Sequence, residues 1–143
     1  ARVIGSGLLE LGLLRGEVDE LVASGAVALF YPHGLGHLIG LTVHDAGGYP
    51  SGREPSSHPQ SRYLRTDRTL EAGMITSVEP GVYFIDALLG DPALRDQFTH
   101  EVVWSEVDAL RGFGGIRIED DVHITNTEPE VLSGNIGKPL RIG

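Results

Sequence analysis

Three histidines crowd into one glycine-rich stretch, His33-Gly-Leu-Gly-His37-Leu-Ile-Gly40-Leu-Thr-Val-His44-Asp45. The 143 residues hold six histidines, and these three fall within twelve positions. Glycines leave imidazoles unscreened and let backbone come close to a ligand. The chemistry on offer is a metal ligand flanked by acid–base histidines. Histidines that merely cap turns are the plainer alternative, and spacing alone leaves both open. Glu79 is the second unusual residue: it ends the apolar segment Met74-Ile-Thr-Ser-Val and precedes a Pro80-Gly81 break. A carboxylate there is costly unless paired or metal-bound, although an exposed strand end would also explain it. Glu119 is the third. It lies in the alternating segment Ile116-Arg-Ile-Glu-Asp-Asp-Val-His-Ile124, on the same face as Arg117. The two could form an ion pair or flank one ligand, and a solvent-facing strand edge is the simple alternative.

The elements that must position these groups follow from pattern. Leu8, Leu9, Leu11, Leu13 and Leu14 predict an opening helix, closed by Gly16. Val18, Leu21 and Val22 predict a second, with Glu17, Asp19 and Glu20 in its first turn and Gly25 at its end. The apolar run 26–31 reads as a strand stopped by Pro32. The glycines at 34, 36 and 40 disfavour a regular helix around the histidines. Residues 46–69, rich in Gly, Pro and Ser, form a long loop whose length suggests function or disorder, with 46–62 a candidate lid. Residues 74–79 predict a strand, 82–89 resume an apolar run, and 90–111 read as loop with a helical turn. The period-two pattern of 116–124 predicts one strand with Ile116, Ile118, Asp120, Val122 and Ile124 on one face. The last twenty residues read as a tail.

Composition narrows the function classes. Twenty acidic and eleven basic residues give a net charge of −9, so a nucleic-acid partner is not expected. No cysteine is present, which removes disulfide scaffolds, thiolate zinc sites and a cysteine nucleophile. No apolar run approaches the roughly 18 residues of a membrane span. The hydrophobic fraction of 41% is that of a folded domain.

Taken together, the histidine block, Ser77-Val-Glu79-Pro-Gly-Val-Tyr83 and Gly115-Ile-Arg117-Ile-Glu119-Asp120-Asp-Val122 resemble the pita-bread metallopeptidases, the superfamily of methionine aminopeptidase, aminopeptidase P and prolidase. Tyr63-Leu-Arg65-Thr, Tyr83-Phe-Ile-Asp86-Ala-Leu-Leu and Phe113-Gly-Gly-Ile-Arg117 are most similar to the bacterial Xaa-Pro dipeptidase branch. The resemblance runs to about residue 127. It implies an α+β fold, the C-terminal half of a pita-bread domain, with a curved antiparallel sheet and helices on one face. It implies a metal centre with His37, Glu79 and Glu119 as ligands, Glu119 bridging two divalent ions. Mn²⁺ suits the oxygen-rich ligation, with Co²⁺ or Zn²⁺ as alternatives. His33 and His44 would line the substrate site and steady the scissile carbonyl, Arg65 would take the dipeptide carboxylate, and Arg117 would neutralise charge beside the metals.

The reaction implied is hydrolysis of an Xaa-Pro dipeptide by a hydroxide held between two metals about 3.5–4 Å apart. Glu79 would shuttle the proton that the leaving proline nitrogen needs. The family takes two further aspartate ligands from strands before the histidine block. Upstream of His33 stand only Glu10, Glu17, Asp19 and Glu20, all in predicted helices. Residues 1–143 are therefore expected to be the C-terminal part of the catalytic domain, without the N-terminal domain and the two-aspartate strand pair. They would carry three of five ligands, hold one ion or none, and be inactive alone. The expected partners are an Xaa-Pro dipeptide, the missing N-terminal part of the same protein and a second copy in a cytoplasmic homodimer. An aminopeptidase P-type enzyme and a non-catalytic pita-bread binding module are the alternatives.

Overall fold

A computed structural model describes residues 1–138. The tail expectation extends over residues 139–143, which lie outside the described residues. Helices and an antiparallel sheet coexist, as the α+β expectation requires, and the chain forms two compact units.

The first unit comprises Ala1–His33, Ser56–Tyr63 and Gly81–Ile116. Helix α1 spans Arg2–Glu10 and α2 spans Val18–Ser24. Gly25 closes α2 in the left-handed conformation at φ 90°, where a side chain would be strained. Helix α1 stops six residues short of Gly16, and the Leu13–Leu14 pair leaves it to bridge Val102 through Leu14. The 26–31 segment is not a strand. It is a 3-10 turn at Val27–Leu29, and all six residues are buried. A short apolar run sealed on every side carries no period to separate the two conformations.

Strand β3 (Gly81–Tyr83) pairs with β4 (Gly115–Arg117). Between them the expected loop is replaced by α3 (Asp86–Leu89), α4 (Pro92–Gln97) and α5 (Trp104–Ala109). The start of α4 has a clear local cause: Asp91 caps it by accepting from the Ala93 N–H at 2.8 Å, and Pro92 takes the first helical position. The core unites Leu8, Leu21, Val27, Phe30, Phe84, Leu89, Val102 and Val107. Phe84 meets Phe30 and Phe113 edge-on, each at 5.8 Å between centroids.

The second unit comprises Gly34–Pro55, Leu64–Pro80 and the residues from Arg117 onward. Its sheet has the order β1-β2-β5-β6, every pair antiparallel. The strands are β1 (Leu38–Ile39), β2 (Ile75–Val78), β5 (Asp120–His123) and β6 (Glu130–Val131). The predicted single strand 116–124 is broken at Ile118–Glu119 into β4 and β5, which join different sheets. Ile116 and Ile118, which the alternation sets on one face, stand 45% and 41% exposed. The expected tail contributes β6, so it is not wholly irregular.

No helix or strand interrupts residues 46–69, in keeping with a long loop. It is nevertheless tied down. In the second unit the Tyr49 hydroxyl donates to the Leu64 carbonyl at 3.1 Å and Arg53 donates to Asp67 at 2.7 Å. In the first unit Gln60 donates to the Tyr31 carbonyl at 2.9 Å.

Candidate metal centre

The β1–β2 register, Leu38 opposite Thr76, extends one step to put His37 opposite Ser77. The backbone confirms it: the Ser77 N–H donates to the His37 carbonyl at 2.9 Å, and the Glu79 N–H to the Leu35 carbonyl at 2.7 Å. The β2–β5 register, Val78 opposite Asp120, likewise extends to Glu79 opposite Glu119. Here too a backbone bond continues the ladder, from the Ile118 N–H to the Pro80 carbonyl at 3.2 Å. A histidine diagonal to one glutamate, and a second glutamate directly across, thus converge on one patch of sheet. Glycine at 36 is what admits this approach: a Cβ there would lie 1.8 Å from the Ser77 carbonyl oxygen.

Ligand atoms of His37, Glu79 and Glu119 all lie within 4.8 Å of one another. His37 and Glu79 are buried, whereas Glu119 is exposed. Like charges directly opposite in a sheet repel, so the pair Glu79–Glu119 favours positive charge beside it. Arg117 supplies one part of that charge. Its Nη1 stands 3.0 Å from Glu79 Oε2 and 4.0 Å from Glu119 Oε2.

The donor chemistry fits a divalent ion. His37 Nδ1 faces the Leu38 carbonyl oxygen at 3.1 Å. That oxygen only accepts, so Nδ1 carries a proton and Nε2 is the nitrogen turned toward the carboxylates. Nε2 in turn faces Glu79 Oε1 at 3.1 Å. Two buried acceptors this close need a second proton on the ring or a cation between them. Ligand atoms about 2.1 Å from one ion, at right angles around it, lie about 3 Å apart. An imidazole with two carboxylates is a ligand set suited to such an ion.

The other expected site residues are placed as follows. The exposed His44 stacks edge-on against His37, 4.4 Å between centroids. His33 belongs to the first unit, where its Nε2 and the Tyr83 hydroxyl lie 2.9 Å apart and its ring packs against Tyr31 at 5.0 Å. Arg65 is exposed, and its guanidinium makes no hydrogen bond or ion pair among the described residues. The expected Arg117–Glu119 contact is long, and Arg117 sits closer to Glu79. Sequence reasoning also missed the Ser77 hydroxyl, which touches both His37 and Glu79, and the Tyr83 partner of His33. Both residues stand within the quoted Glu79 block, but only strand register reveals whom they meet.

Residues 8–126 match metallopeptidase family M24. Over 127 residues the sequence is 50% identical to Xaa-Pro dipeptidase of Homo sapiens, covering 88% of this chain and 26% of that protein. It is 41% identical over 136 residues to Xaa-Pro dipeptidase of Shewanella pealeana, covering 91% of this chain and 30% of that one. Among solved structures, the Pseudomonas aeruginosa aminopeptidase PepP aligns over 96% of this chain and 25% of its own, with 39% identity and a TM-score of 0.65. Escherichia coli aminopeptidase P with the inhibitor Pro-Leu aligns over the same shares, with the same identity and TM-score. The chain spans under a third of the length of these relatives.

Proposed function

We propose, since this chain belongs to metallopeptidase family M24, that it supplies three ligands of a divalent metal centre in a protein that hydrolyses Xaa-Pro dipeptides. The observation carrying this reading is the convergence of His37, Glu79 and Glu119 within 4.8 Å. Likeness to Xaa-Pro dipeptidases at 41–50% identity supports the substrate class.

In this reading His37 Nε2 and the Glu79 carboxylate would hold one ion, and Glu119 would be shared between it and a second. Mn²⁺ is the proposed ion, Co²⁺ and Zn²⁺ the alternatives. Such a pair, when bound, supplies Lewis-acid polarisation of the scissile carbonyl and acidification of water. The chain's own residues do the rest. Arg117 offsets the carboxylate charge and holds Glu79 in place. His44, stacked on His37, and His33, held to Tyr83, line the substrate and steady the carbonyl oxygen. Arg65 presents an uncommitted guanidinium fork to the dipeptide carboxylate. The Xaa-Pro amide nitrogen bears no hydrogen and must gain a proton to leave, and Glu79 would take that proton from the attacking water and pass it on.

Two further carboxylate ligands belong, in this proposal, to a part of the protein outside residues 1–143. These residues are then the C-terminal part of the catalytic domain, inactive alone, within a cytoplasmic homodimer. No described helix is long and apolar enough to cross a membrane.

Glu119→Gln in the full-length protein is the decisive variant. Turnover of Ala-Pro, assayed after Mn²⁺ loading, is expected to fall to background while far-UV circular dichroism stays unchanged. Undiminished turnover would remove the bridging role. An aminopeptidase P-type activity is the second reading, favoured by the 39% identity to the two aminopeptidase structures. Rates on Ala-Pro against longer Xaa-Pro peptides separate the two. A non-catalytic module is disfavoured by the intact ligand triad, and failure of the full-length protein to retain Mn²⁺ would restore it.

A further inference from the structure

We infer that Ser77 is a positioning residue for the metal centre, its single hydroxyl locking the His37 backbone and the Glu79 carboxylate into one ligand geometry. The inference rests on the proposed metal site and goes beyond its ligands. Ser77 is 2% exposed, at the end of β2 directly across from His37. Its Oγ accepts the His37 N–H at 2.9 Å and donates to Glu79 Oε1 at 3.0 Å.

The direction of that donation follows from counting partners. A serine hydroxyl has one proton. The competing acceptor is the His37 carbonyl, 3.5 Å from Ser77 Oγ. That carbonyl already accepts the closer Ser77 N–H at 2.9 Å and has the Thr76 hydroxyl within reach at 3.0 Å, whereas Glu79 Oε1 is both nearer to Ser77 Oγ and charged. The proton therefore goes to Glu79 Oε1, the carboxylate oxygen that faces His37 Nε2 at 3.1 Å. Arg117 meanwhile grips the other oxygen, Oε2, at 3.0 Å. One partner on each oxygen fixes the rotation of the carboxylate plane. Arg117 is 42% exposed, so the buried hydroxyl is the stiffer of the two holds.

Because the same hydroxyl is bonded to the backbone of His37, a shift of Glu79 and a shift of His37 are coupled. Outer-shell hydrogen bonds of this kind typically govern metal affinity by about 10–100-fold.

The test uses the full-length protein and MnCl₂ alone, with binding followed by calorimetry and by the Mn²⁺ electron paramagnetic resonance spectrum. Ser77→Ala is expected to weaken Mn²⁺ binding by about 10–100-fold and to alter the spectrum. Ser77→Thr, which keeps the hydroxyl, is expected to restore both. If the alanine variant does not fold, Ser77→Thr against Ser77→Val gives the same comparison between side chains of equal shape. Unchanged Mn²⁺ affinity in the folded variant without the hydroxyl overturns the inference and leaves the metal site standing. Absence of Mn²⁺ binding by the unaltered protein overturns the metal site itself, and the inference with it.

Discussion

At the scale of single residues, Gly36 sets the tightest constraint on the centre. A methyl group there would meet the Ser77 carbonyl oxygen at 1.8 Å, and that oxygen belongs to the backbone and cannot swing away. Gly36→Ala is expected to cost about 1–3 kcal/mol or more in urea unfolding. Because the displaced strand is the one that carries His37, Mn²⁺ affinity should fall in the same variant. The types and order of His37, Glu79 and Glu119 were legible because each is an expensive or reactive group set among residues that leave it open. Their neighbours were not. Ser77 reads as an ordinary strand residue, and Arg117 pairs by sequence spacing with Glu119, two positions away. It contacts Glu79 more closely because β4, which carries it, runs beside β3, just past Glu79 in the chain. Register across strands is a property of pairing, and it leaves no periodic trace in one segment alone.

At the scale of elements, the sequence speaks where one face is buried and the other wet, and falls silent where both are buried or both exposed. Helix α2 combines acidic residues in its first turn with a left-handed glycine at its end, and it forms where expected. The 26–31 segment has no wet face, so its apolar run reads as a strand although it folds as a 3-10 turn. The alternation over 116–124 predicts one continuous strand, yet Ile116 and Ile118 are exposed and the strand breaks beside Glu119. That break lets Glu119 face Glu79 across the sheet. Helices α4 and α5 are six residues each, too short for periodicity to announce them, and they are held by tertiary contacts. Arg95, for example, leaves α4 to pair with Asp108 and to lie 4.3 Å over the Trp104 ring, both on α5. Packing of this unit is tested by Phe30→Ala. Phe30 is fully buried at the centre of the cluster, and its loss is expected to destabilise by about 3–5 kcal/mol in thermal or urea unfolding.

For the molecule as a whole, one traceable contribution to acid sensitivity is the Arg95–Asp108 pair. The hydrogen bond from Arg95 holds the Asp108 carboxyl below its ordinary range; desolvation opposes the effect and the Arg95 charge adds to it. A depressed carboxylate stabilises the fold above its unfolded pKa, and that contribution disappears as pH falls through the folded value. A melting profile taken downward from about pH 4 should therefore steepen in the native protein and flatten in Asp108→Asn. The two units also differ in what fills them. Every residue of the hydrophobic cluster belongs to the first. In the second, the buried side chains include Leu38 but also His37, Thr76, Ser77 and Glu79. Opening a region that hides so little hydrocarbon releases little heat capacity and responds weakly to denaturant. A cation held by His37, Glu79 and Glu119 would then stabilise it by mass action, rising with the free concentration of that ion. Occupancy of such a centre and integrity of that sheet would be two readings of a single equilibrium.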